Sequence, residues 1–281
     1  MHDVDLFVLA LFAGSILAGL FGALAGLGGG VLLVPLLTLG FGVPIHLAIG
    51  ASIVSVIATS SAAGAAYVAD RLTNLRVAMV LEVATSLGAV TGALVAPRVP
   101  VQTLYLLFGL ILLGSLVPTL AKLGETVPQG VVNDRFAQQL RLDGVYPSRA
   151  LGRPVAYQVT RVPLGFGLMY VAGITSGLLG IGSGALKVLA LDAAMRLPIK
   201  VSSATSNFMI GVTAAASAGI YFWRGDVVPL IAAPVALGVL LGATGGAWLL
   251  PRLHGRVVRW IFLVALAAVA VQMLLRGLGI A

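Results

Sequence analysis

Long apolar blocks follow one another along the chain, separated by short polar punctuation. The first half reads as blocks at about 6–26, 30–42, 46–69, 77–96 and 102–120, and the second as 162–180, 184–197, 201–222, 228–249 and 257–276. About twenty apolar residues is the length at which a helix crosses the hydrocarbon of a bilayer. The pattern therefore predicts an all-α integral membrane protein of about ten transmembrane or half-spanning helices. The stretch 121–161 is the only long polar one, with Lys122, Arg135, Arg141, Arg149, Arg153 and Arg161 among scattered Pro and Gly. It reads as a loop with a short surface helix around 131–141. The second block of each half is short. Thirteen helical residues cover about 20 Å against a core of about 30 Å. Such a block either crosses as a broken helix, its neighbours making up the depth, or turns back.

The two halves are copies. Shifted by 154 positions, the sequence overlays itself without a gap. Gly26, Gly28 and Gly30 fall on Gly180, Gly182 and Gly184; Pro44 on Pro198; Ser52 on Ser206; Thr59 on Thr213; Tyr67 on Tyr221; Gly88 and Gly92 on Gly242 and Gly246; Phe108 on Phe262. The chain thus divides into a first membrane repeat (1–120), a linker (121–161) and a second membrane repeat (162–281).

Composition agrees. Of 281 residues 59% are hydrophobic and 9% charged, against about 25% charged in a soluble domain. The mean hydropathy is +1.09. No cysteine is present, and histidine occurs only as His2, His46 and His254 without metal-ligand spacing, so thiol chemistry and a metal centre are not expected. The net charge of +8 suits basic cytoplasmic loops rather than nucleic acid. The opening "MHDVD" is acidic, unlike the basic start of a signal peptide, so the first apolar block is read as a retained helix.

Charge also sets the expected topology. With ten crossings and the N-terminus outside, thirteen Arg and Lys fall in the cytoplasm and three (Arg98, Arg224, Arg276) outside. If the short blocks turn back and the N-terminus is inside, the split is ten to six. The positive-inside rule favours the first arrangement. Both termini are then outside and the linker is cytoplasmic. Five crossings per repeat invert one repeat relative to the other, as in many secondary transporters.

Small residues at every fourth place (Gly14, Ala18, Gly22, Gly26) and the Gly88/Gly92 and Gly242/Gly246 pairs indicate close helix packing. The clusters Gly28-Gly29-Gly30 and Gly182-Ser183-Gly184 are too dense for that. Glycine costs about 1 kcal/mol per residue inside a helix relative to alanine, so each cluster breaks its helix. Breaks at membrane depth persist where they are buried in protein or line a cavity. The helix restarting after a break presents free N–H groups, which suit an anion. Hydroxyls follow: Ser52 and Thr59 in the first repeat; Ser206, Asn207 and Thr213 in the second. Lys187 stands where the first repeat has Leu33. An intramembrane ammonium costs at least about 2.5–3.5 kcal/mol, and the candidates to offset it are a bound anion or an ion pair with Glu82. These residues are the candidate substrate site. Glu82 and Asp192, as intramembrane acids, are candidate coupling or gating residues; the alternative for them is pairing with Arg76 and Arg196.

The stretches "AGLFGALAGLGGGVLLVPLL", "GITSGLLGIGSGALKVLAL" and "ATSNFMIGVTAAASAGIYFWRG" resemble the sulfite exporter TauE/SafE family. The resemblance covers nearly the whole chain outside 121–161. It implies a permease for small anions such as sulfite, sulfonates or other organosulfur acids, working without a cofactor, in the cell membrane. This chain departs from the pattern at Ser183, at Leu189 where the first repeat has Pro35, and at Lys187. The expected partners are a small anion, the bilayer and a coupling ion, proton or sodium; a homodimer is left open. The competing readings are a permease for divalent metal or another ion, and an auxiliary membrane subunit. An intramembrane protease is disfavoured: Ile181 interrupts a GxSG motif, no histidine lies deep in an apolar block, and no second aspartate is placed to form a dyad with Asp192.

Overall fold

The computed structural model describes residues 2–25, 30–121, 128, 130–148, 153–249 and 255–280. Gly28 and Gly29 lie outside the described residues. The first repeat forms α1 (His2–Ala25), α2 (Gly30–Pro35), α3 (Ile45–Ala69), α4 (Leu75–Val95) and α5 (Val101–Ala121). The linker holds α6 (Arg135–Leu140) and the strands β1 (Gly144–Ser148) and β2 (Arg153–Tyr157). The second repeat forms α7 (Val162–Leu179), α8 (Gly184–Leu189), α9 (Ile199–Trp223), α10 (Pro229–Leu249) and α11 (Gly255–Gly277). Among the described residues, Ile45–Ala69, Leu75–Arg98 and Val162–Leu179 are long and apolar enough to cross a membrane.

The short second block has the same shape in both repeats. α2 runs into a π-helical turn at Leu36–Gly40, and α8 into one at Ala190–Ala194. Pro35 precedes the first turn and Leu189 the second, so the missing proline N–H is not what widens the helix. Each run then ends before a proline: Pro44 and Pro198 start α3 and α9 with nearly the same backbone angles, φ −53°, ψ 137° and φ −57°, ψ 137°. Each run also returns to the level at which the preceding helix began. Phe41 meets Phe7 of α1 edge-on at 6.1 Å. Its counterpart Met195 accepts a hydrogen bond from the Thr160 N–H at 3.3 Å and packs over Gly165 of α7.

Helices pair across the repeats. α1 packs on α10, α4 on α7, α3 on α9 and α5 on α11. The first helix of each repeat thus lies against the fourth of the other, and glycine permits the approach. A Cβ on Gly173 of α7 would overlap the Thr85 carbonyl of α4, and one on Gly19 of α1 the Val239 carbonyl of α10. Gly88 meets the Tyr170 carbonyl and Gly242 the Ile16 carbonyl in the same way. Each contact is its partner moved by 154 positions. Backbones this close gain dispersion and polar contact that lipid cannot offer.

The linker departs from the expected loop. Its helix is where the sequence put it, but β1 and β2 form an antiparallel hairpin, Gly144 opposite Tyr157 and Ser148 opposite Arg153. The chain is therefore helical with one small sheet. The expectation failed because strands of five residues with Pro147 and Pro154 facing each other carry no strand pattern. Asn74 holds the linker down. Its Oδ1 caps α4 by accepting from the Val77 N–H at 3.0 Å, and its Nδ2 donates to the Leu142 carbonyl at 2.7 Å and the Tyr157 hydroxyl at 2.8 Å. Its own N–H donates to Thr205 of α9 at 3.0 Å. Burial pushes the Tyr157 phenol up to about 12, so it takes this bond as a neutral hydroxyl. Asn74→Ala removes the cap and two donors, and is expected to lower stability by about 1–3 kcal/mol. Limited proteolysis should then cut the linker faster; an unchanged rate would mean that the packed tyrosines alone retain it.

Candidate functional site

The second helix break meets Gly30, the first residue of α2, inside the fold. α7 ends at Gly180, with φ +66°, and the chain turns through Gly182 and Ser183, with φ +70° and +49°, before α8. Glycine is needed there twice over. The φ values are left-handed, and a Cβ on Gly182 would lie 2.6 Å from Ile210 Cγ2. The first repeat's Gly30 comes to the same place, where a Cβ would lie 3.5 Å from the Gly180 carbonyl oxygen. Ser52 joins them: its hydroxyl lies 2.8 Å from the Gly180 carbonyl and 3.4 Å from the Gly30 carbonyl. Ser206 donates to the Gly184 carbonyl at 3.1 Å, the same bond one repeat on. The serines found in both repeats thus occupy their protons in satisfying carbonyls at the breaks.

Lys187 is fully buried, the only charged side chain among the described residues that is. It projects from the first turn of α8 to α9, where Nζ donates to Thr213 Oγ1 at 2.6 Å and to the Met209 carbonyl at 3.3 Å. Thr213 in turn donates to Glu82 Oε1 of α4 at 2.7 Å. Ser86, one turn on, donates to the same oxygen at 3.0 Å, while Glu82 Oε2 is buried with no hydrogen-bond partner among the described residues. One hydroxyl therefore joins an ammonium of the second repeat to a carboxylate of the first. Glu82 faces inward rather than pairing with Arg76, whose Nη1 donates to the Arg141 carbonyl at 3.0 Å.

Thr59, Asn207 and Ser183 make their hydrogen bonds to other partners. Thr59 bonds back along α3 to Ser55 and Val56 at 3.0 and 3.3 Å. Asn207 Nδ2 donates to the Ser203 carbonyl of its own helix at 2.9 Å. Asp192 stands half-buried in the π-helical turn after α8. The buried Ser183 shares a hydrogen bond of 2.8 Å with Thr175 of α7. Thr175 and Ser86 were missed from the sequence. The repeat offered no signal, since Phe21 and Leu240 stand in their places.

Apolar helices around a buried ammonium and its polar partners define a polytopic membrane protein. The family model for sulfite exporter TauE/SafE matches residues 11–273, and the chain belongs to that family; it is a membrane transporter. It is 25% identical to the probable membrane transporter protein YunE of Bacillus subtilis (strain 168), over 99% of both chains. It is 26% identical to the probable membrane transporter protein YdhB of the same organism, over 86% of this chain and 88% of that one. With the probable membrane transporter protein ORF9 of Sinorhizobium sp it shares 23% identity, over 98% and 95%. No solved structure matches the chain.

Proposed function

We propose that the protein is a secondary transporter for a small oxyanion, sulfite, a sulfonate or a related organosulfur acid, bound between the helix breaks of two repeats inserted in opposite orientation. The observation that carries this reading is a fully buried ammonium three residues past the second break. An ammonium on the second repeat's side of the site attracts an anion and disfavours a divalent metal beside it, which supports this reading over a metal permease. Lys187 and the Thr213 hydroxyl bonded to it supply charge and polarity for a compact oxyanion, and a shift of either break would open the site to one side.

The ten-crossing topology is part of the proposal. Its support is the charge distribution together with the return of both short runs to the starting level of the preceding helix. Purified protein in proteoliposomes should accumulate sulfite or methanesulfonate and not Mn²⁺; metal uptake without anion uptake would overturn the reading. The cysteine-free chain permits a direct test of orientation. Ser148→Cys should resist an impermeant maleimide in intact cells and react after permeabilisation; labelling in intact cells would place the linker and both termini on the opposite sides.

A further inference from the structure

We propose that Glu82 binds a proton whenever an anion takes the charge of Lys187, so that the transporter moves one proton together with each monovalent anion. This rests on the anion binding at Lys187 and adds the coupling ion and its ratio.

The hydrogen bonds allow it. Thr213 has one hydroxyl proton and two acceptors in reach, Glu82 Oε1 at 2.7 Å and the Met209 carbonyl at 2.8 Å. With Glu82 ionised, that proton points to Oε1. With a proton on Oε1, Glu82 donates to Thr213, whose own proton turns to Met209. Thr213 then uses its two lone pairs to accept from Glu82 and from Lys187, 2.6 Å away. At Oε1 both protonation states are satisfied with no heavy atom displaced. Glu82 Oε2 adds a second argument. It is buried and unpartnered among the described residues, a poor setting for half of a carboxylate and a tolerable one for the carbonyl oxygen of a neutral acid.

Electroneutrality sets the ratio. Ionised Glu82 and Lys187 cancel, so the empty site is neutral. An anion at Lys187 would leave this site with one negative charge, unless Glu82 is protonated. A net charge in the membrane interior is expensive, so the loaded site is neutral only with one proton per negative charge carried. The repeat shows the two charges as a unit. The counterpart of Lys187 is Leu33 and that of Glu82 is Ala236, while the bridging threonine is kept as Thr59. No other charged group serves the carboxylate from the helices packed on α4. α7 has none, with Tyr170 bonded to Thr91; on α9 only Lys200 is charged, in its first turn, thirteen positions before Thr213; on α4 Arg76 is turned to the linker. The α8 run contributes Asp192 besides Lys187, five positions further on.

The test counts protons. Methanesulfonate keeps one charge throughout the working pH range, so the ligand itself neither takes up nor releases a proton. Its binding to the purified wild-type protein is followed calorimetrically in two buffers of different ionisation enthalpy. The expected result is uptake of about one proton per anion above the Glu82 titration, with affinity falling about tenfold per pH unit there. Glu82→Gln should bind with pH-independent affinity and no proton uptake, and in proteoliposomes should equilibrate the anion without accumulating it on a pH gradient. Anion binding without proton uptake by the wild type overturns the coupling and leaves the anion site standing. Uptake that persists in Glu82→Gln places the proton elsewhere and overturns it too. Failure of the wild type to bind sulfite or any sulfonate overturns the anion reading and this inference with it. The wild-type proton count decides the matter even if Glu82→Gln does not fold.

Discussion

Replacing Lys187 with alanine is expected to abolish the stabilisation that sulfite or a sulfonate gives the purified protein, and to lower its stability by about 3–5 kcal/mol. Both effects follow from one removed side chain. Nζ is the cation opposite Glu82 across Thr213; without it the half-buried carboxylate keeps its hydroxyl donors and loses that charge partner. The double change Lys187→Met with Glu82→Gln removes both charges at similar volume, and should restore most of the unfolding temperature without restoring the response to anion. Thermal unfolding in detergent, with and without the anion, reads both quantities. A double variant that is again stabilised by anion would make Lys187 a structural partner and put the substrate elsewhere.

Gly173→Leu is expected to prevent a monodisperse fold. Its Cβ alone would overlap the Thr85 carbonyl, and a backbone cannot rotate away as a side chain can. Overpacking in a core usually costs about 1–3 kcal/mol; here α7 and α4 must separate along their length, so the loss should be larger. Gly19→Leu should behave alike, because its Cβ meets the Val239 carbonyl in the same way. By contrast, Gly167→Leu, in the same helix as Gly173 with nothing within 4 Å of its Cβ, should be tolerated. Size-exclusion profiles of the three proteins give the comparison, and a normal profile for Gly173→Leu would contradict the close approach.

The residues chosen by backbone geometry made the repeat readable. Gly180, Gly182, Pro44 and Pro198 stand where φ or a missing N–H matters, and lipid-facing positions are free to drift around them. Partners were not readable. Gly88 and Gly242 announce a close helix without saying which one, and the helix that approaches belongs to the other repeat. The same limit governed the site. Glu82 was a candidate partner for Lys187, but Thr213 as the bridge was not readable: its bond to Glu82 spans 131 positions and leaves no local mark. Ser52 and Ser206 show a different limit. Duplication marked them as important without distinguishing a ligand contact from a carbonyl at a break, and their hydrogen bonds are to the breaks.

The exchange of helices between repeats also bears on how the chain is made. Gly19 of α1 touches Val239 of α10, some 220 positions later. When α1 leaves the ribosome its glycine face has no counterpart, and none exists until nearly the whole protein has been synthesised. Contacts so distant in sequence form slowly. During that interval α1 must be held by the insertion machinery or by lipid, and its glycine face is open to wrong neighbours. The first repeat made alone would keep α1 and α4 each without its closest partner, so a truncated product would carry its own mark for degradation.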